Sequence, residues 1–95
     1  MAAYVIAQIE ITDRAAFEEY RREVPPTLAR HGGRFIVRGG ESETLEGDWQ
    51  PKRLVVLEFP DRAAAKAWWS SQEYAAPKAL RQRSARSQLL IIDGV

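Results

Sequence analysis

The chain has no cysteine and a single histidine, His31. The first absence excludes disulfides, a thiolate nucleophile and every thiolate metal cluster, and the second excludes a multi-histidine metal site. No metal centre is expected. No apolar run approaches the roughly 18 residues that a membrane span needs, and Met1-Ala2-Ala3-Tyr4 leads into a strand pattern instead of the basic and apolar blocks of a signal peptide. A cytoplasmic protein without membrane contact is the expectation. An excess of one charge is missing too. Lys and Arg number 14 against 13 Asp and Glu, so the strong positive field behind non-specific nucleic-acid binding is absent.

What is there is an ordinary globular composition, 45% apolar and 28% charged over 95 residues, which fits one domain spanning residues 1–95 without a large private cavity. Four apolar runs read as strands: Tyr4–Ile11, Arg34–Arg38, Arg53–Phe59 and Gln88–Ile92. Between the first two, Thr12-Asp13 offers a cap, and Phe17, Tyr20, Val24 and Leu28 form one helical stripe. Pro25-Pro26 is expected to kink or restart that helix, and Gly32-Gly33 to end it. After the third run, Asp61 caps a second helical region whose Ala64, Ala65 and Trp68 point inward. Ser70-Ser71 and Pro77 divide that region into two pieces.

The order strand, helix, strand, strand, helix, strand describes an α+β, ferredoxin-like βαββαβ sandwich. Its four-stranded antiparallel sheet has the third strand beside the first and second and the fourth beside the first, with helices on one face. The strands carry apolar residues on both faces, and in one phase Tyr4, Ile6, Leu90 and Ile92 lie on the uncovered side. Such a patch is unusual on a monomer, so a second copy of the chain is the expected cover, pairing two sheets into a dimeric α+β barrel.

A series of short motifs in fixed order then resembles a known family. Gly32-Gly33-Arg34-Phe35-Ile36-Val37-Arg38-Gly39-Gly40 is followed by Leu45-Glu46-Gly47, Trp49, Pro51, Glu58-Phe59-Pro60, Trp68-Trp69, Ser71 and Glu73-Tyr74. Nearly end to end, this is similar to the family catalogued as domain of unknown function 1330. The resemblance implies the dimeric α+β barrel superfamily, which includes cofactor-free monooxygenases, lactone isomerases, haem-degrading enzymes and stress-responsive proteins, and it names no reaction.

The candidate site residues are few. A hairpin turning symmetrically about Asp48 places Arg38 opposite Glu58, beneath the helices. There the two either orient an anionic or carbonyl substrate and move a proton, or form an ion pair that fixes register. His31 is the natural general base near neutral pH, or a solvated residue at a helix end. Adjacent Trp68 and Trp69 cannot both point inward, so Trp68 is assigned to the core and Trp69 to a pocket mouth or partner contact. Tyr20 and Tyr74 bring hydroxyls able to bind a ligand carbonyl. Gly39-Gly40 reads as a bulge. Lys78, Arg81, Arg83 and Arg86, the only basic cluster, read as a solvated helix surface. The combined expectation is a homodimer that binds or transforms a small organic acid or carbonyl compound, monooxygenase- or isomerase-like, with no cofactor. The alternative is a non-catalytic stress-related or interaction module whose pocket is only core.

Overall fold

The computed structural model describes residues 1–95. Its elements are β1 (Ala3–Ile11), α1 (Arg14–Ala29), β2 (Arg34–Arg38), β3 (Leu54–Phe59), α2 (Arg62–Trp69), α3 (Gln72–Ser84) and β4 (Ala85–Asp93). The strands form one antiparallel sheet in the order β2-β3-β1-β4. This is the expected ferredoxin-like fold, with the second helical region broken at Ser70-Ser71 as the sequence indicates, whereas Pro77 does not divide it and lies inside α3.

Alternation along the strands divides the sheet into two unlike faces. Ala3, Val5, Ala7 and Ile9 of β1 and Val55, Leu57 and Phe59 of β3 are buried on one side. There they meet Phe17, Tyr20, Val24 and Leu28 of α1, together with Trp68, Tyr74 and Leu80 from α2 and α3. Trp68 is 1% exposed and Trp69 44%, the split that a 100° step per residue demands. The other face carries no helix. Tyr4, Ile6 and Val56 are half-buried there, while Leu90 and Ile92 are exposed.

Asp13, Asp61 and Ser71 cap α1, α2 and α3 through their side chains, satisfying amides that have no partner within the helix. At the end of α1, Gly32 takes a φ of 71°, and the Gly33 N–H turns back to the Leu28 carbonyl. A non-glycine residue at Gly32 would be strained.

Three expectations are corrected. Helix α1 runs unbroken through Pro25 and Pro26. Pro25 has no N–H for the Arg21 carbonyl four residues earlier, and the Arg38 guanidinium donates to that carbonyl instead, at 2.9 Å. The bulge lies at Ile36, between Phe35 and Val37, and not at Gly39-Gly40, and β2 stops at Arg38. Strand β4 begins at Ala85, earlier than Gln88, because α3 passes into it without a loop. The Ser84 carbonyl at that junction accepts the N–H groups of Thr12 and Asp13.

Candidate functional site

The Ile36 bulge decides which residues share a face. Arg34 pairs in register with Glu58, and Arg38 with Val55. Arg38 therefore lies on the helix side and Glu58 on the open side, so the expected Arg38–Glu58 pair does not form. The turn is centred earlier than Asp48, and the extra residue flips everything after it to the opposite face. Glu58 is instead held by Arg34, with Nη2 at 2.6 Å and Nε at 2.7 Å from one carboxylate oxygen, while Tyr4 donates to the other at 3.4 Å.

His31 is also outside the helix–sheet seam. Its Nε2 lies 2.8 Å from a Glu73 carboxylate oxygen, joining the end of α1 to the start of α3. A backbone amide at the start of α3 and then His31 hold the Glu73 carboxyl below its usual range. Trp69 lies on the surface, with the Lys78 ammonium 3.7 Å from its ring centre.

The seam gathers other groups. Along α3, Tyr74, Pro77, Arg81 and Ser84 recur at helical spacing and are all buried. Arg81 is 4% exposed, which corrects the reading of it as a solvated residue. Its Nε donates to the Tyr74 hydroxyl at 3.3 Å, and the Tyr74 and Tyr20 oxygens are 2.9 Å apart. Tyr74 is fully buried and has no other hydroxyl partner. Its oxygen therefore accepts from Arg81 and shares one hydrogen bond with the Tyr20 hydroxyl, in which either oxygen can donate. Burial above all, and then Tyr74, push the Tyr20 phenol far above its ordinary 10.0 despite the opposing effect of Arg81, so Tyr20 remains a neutral donor.

No ion pair of the chain includes Arg81. Its side chain stands in a wall shared by two spaces. One is an inner cavity of about 30 Å³ beneath α1, whose charged lining is four arginines, Arg21, Arg38, Arg53 and Arg81, and no acid. The other is an open groove of about 610 Å³ along β4, which also touches Trp69 and Ser87. The Ser87 hydroxyl is buried without a partner. Of the expected site residues the seam holds Tyr20, Tyr74 and Arg38, with Trp69 at the groove, while His31 and Glu58 lie apart. Arg81, Arg21 and Arg53 were overlooked. The signals were present: Arg81 falls seven residues after Tyr74 on one stripe, and Arg53 alternates in phase with Val55 and Leu57. The described residues contain no group of His, Asp and Glu suited to a metal, and no helix is long and apolar enough to cross a membrane.

A family model described as Domain of unknown function (DUF1330) matches residues 2–95. The chain belongs to this family. No curated protein matches it. Among solved structures, this DUF1330 chain is similar to RPA0582 of Rhodopseudomonas palustris, a protein of unknown function, at 19% identity and TM-score 0.78, covering 99% of this chain and 82% of that one. A dimeric ferredoxin-like protein of unknown function from Jannaschia sp. CCS1 matches at 15% identity and TM-score 0.72, over 99% and 100% of the two chains. SnoaB, a cofactor-independent oxygenase from Streptomyces nogalater, matches at 13% identity and TM-score 0.67, over 99% and 93%. At these identities the likeness establishes the fold.

The Tyr20 environment has a consequence for alkaline stability. Below pH 10.0 the phenol keeps its proton in both folded and unfolded chains; above it the unfolded chain ionises while the folded one does not. Stability is therefore lost as pH rises past that point. Urea unfolding across this range is expected to show a steeper decline for the wild type than for Tyr20→Phe, the difference approaching ~1.4 kcal/mol per pH unit. Parallel declines would mean that Tyr20 ionises in the folded protein.

Proposed function

We propose that the seam around Arg81 binds a small organic anion, a carboxylate or the enolate of a carbonyl compound, and that the chain works as a homodimer. One observation carries the first part: a guanidinium almost wholly removed from solvent, with a phenol oxygen for a partner and no carboxylate. Burying an unpaired charge is costly, and an anionic ligand offsets that cost. The hydrogen bonds that join Arg81, Tyr74 and Tyr20 support the same reading, because bonds in a series polarise one another and both Arg81 and Tyr20 line the inner cavity. Ser87 supplies a further free hydroxyl in the groove, and Trp69 an apolar wall at its mouth.

Such a site favours the ionised form of a weakly acidic substrate by stabilising the negative oxygen as it develops. The site offers no carboxylate or imidazole to take a proton, so the proton passes to water in the open groove. The fold shared with SnoaB, a cofactor-independent oxygenase, supports an enzymatic role for this site. A second reading, a binding module without catalysis, is favoured by the inner cavity, which has room for about one water molecule. His31 and Glu58 have no part in either reading.

The case for the homodimer is the helix-free sheet face with Leu90 and Ile92 exposed. It is supported by the family fold, of which the Jannaschia protein is a dimeric example. Pairing of two such faces buries about 2,000 Å² or more in total. Light scattering at micromolar concentration is expected to give twice the 10.8 kDa chain mass. A stable species at 10.8 kDa would overturn the pairing.

Ligand binding is tested by thermal shift with benzoate, salicylate and phenylpyruvate. A compound that binds the folded state raises the melting temperature by mass action. At least one is expected to do so in the wild type and none in Arg81→Met, while ligand-free Arg81→Met melts no lower than the wild type. Indifference of the wild type to all three, with a marked fall in the melting temperature of Arg81→Met, would identify Arg81 as purely structural.

A further inference from the structure

Three more arginines line the inner cavity, and each keeps part of its surface in solvent. Arg21 comes from α1, Arg38 from the end of β2 and Arg53 from the residue before β3. Each is held by its own contacts. The Arg38 guanidinium donates to the Arg21 carbonyl that Pro25 leaves free, and it lies 4.2 Å from the Phe35 ring centre. The Arg53 guanidinium lies 5.7 Å from the Phe17 ring centre. It also occupies the space that a Cβ at Gly39 would need, and Gly39 has a φ of 73°. Any other residue at Gly39 would be strained and would displace Arg53.

The cluster is short of negative charge. Glu18 is the one acid paired within it, 3.0 Å from Arg21, and Arg38 and Arg53 belong to no ion pair. The Nε groups of Arg21 and Arg53 are buried and unpartnered. Desolvation first, and then the neighbouring Arg21 and Arg38 charges, push Arg53 below its ordinary value. Like charges held together, with two N–H groups left unsatisfied, cost stability unless an anion joins them.

We infer that Arg21, Arg38 and Arg53 form a binding site for a phosphoryl group. Three guanidiniums less one carboxylate leave a local charge near +2, which matches a phosphate monoester carrying about −1.5 to −2 at neutral pH. Donors from three elements that border one cavity suit a tetrahedral group with several acceptor oxygens better than a planar carboxylate with two. The site borders the same inner cavity as Arg81 but is built from residues that the Arg81 reading does not use.

Calorimetric titration at constant ionic strength, with inorganic phosphate, phenyl phosphate and acetate as probes, tests the inference. Phosphate and phenyl phosphate are expected to bind at least about tenfold more tightly than acetate. Arg53→Met should remove that preference and Arg81→Met should leave it intact. Tighter binding of the ester assigns the site to a phosphorylated organic molecule, and equal affinity to phosphate itself; both support it. Arg53→Met keeps an unbranched apolar stem against Phe17, and in phosphate-free, low-salt buffer it is expected to melt above the wild type because repulsion is relieved. Equal affinity for acetate and phosphate, or unchanged phosphate binding by a folded Arg53→Met, would overturn the inference. So would a lowered melting point of that variant together with no phosphate binding by the wild type.

Discussion

A guanidinium in an apolar seam is the constraint around which this structure is arranged. Arg81 cannot leave the seam, because α3 buries one side and places Tyr74, Pro77, Arg81 and Ser84 along it. Its guanidinium carries only donors and can accept no hydrogen bond. The fold answers with hydrogen bonds from Arg81 to Tyr74 and between Tyr74 and Tyr20, which join α3 to α1. Trp68 supports that junction from α2, its ring 4.1 Å from that of Tyr74, and Thr27 of α1 accepts its indole N–H at 3.0 Å. Three helices therefore meet over the sheet through polar contacts that leave the charge itself uncompensated. Stability given up at one place in a small fold is a common mark of a site kept for binding.

A second arrangement follows from two local breaks in regularity. Pro25 removes a donor from α1 and the Ile36 bulge reverses the facing of β2, and between them they bring Arg38 to the Arg21 carbonyl. Without the bulge Arg38 would lie on the open face with Glu58; with it, the two faces take on different chemistry. The helix side collects four arginines around a cavity without an acid. The open side carries the Arg34–Glu58 pair and the exposed apolar side chains of β4.

The architecture was legible because it rests on periodicity. Alternation along the strands, the 3-4-4 stripe of Phe17, Tyr20, Val24 and Leu28, and capping residues such as Asp13 and Asp61 each act over a few positions. The phase that leaves Tyr4, Ile6, Leu90 and Ile92 on the uncovered face could be read the same way. The site was legible only in part. Tyr20 and Tyr74 stand out as aromatic hydroxyls on helices, but their meeting depends on how α1 and α3 cross. Arg38 and Glu58 were paired by assuming a symmetric hairpin, and a single inserted residue at Ile36, which carries no sequence signal such as glycine, undoes that assumption. Arg81 was hidden among Lys78, Arg83 and Arg86, since a basic helix normally faces water; its spacing from Tyr74 was the better guide.

The central claim is that Arg81 is held without a counter-ion so that a ligand can supply one. A crystal structure of the protein grown with benzoate tests it most directly. The account predicts a carboxylate in the groove along β4, within about 2.7–2.9 Å of the Arg81 guanidinium nitrogens. Arg81 bonded to Tyr74 alone in a closed seam, with benzoate absent or bound elsewhere, would contradict it.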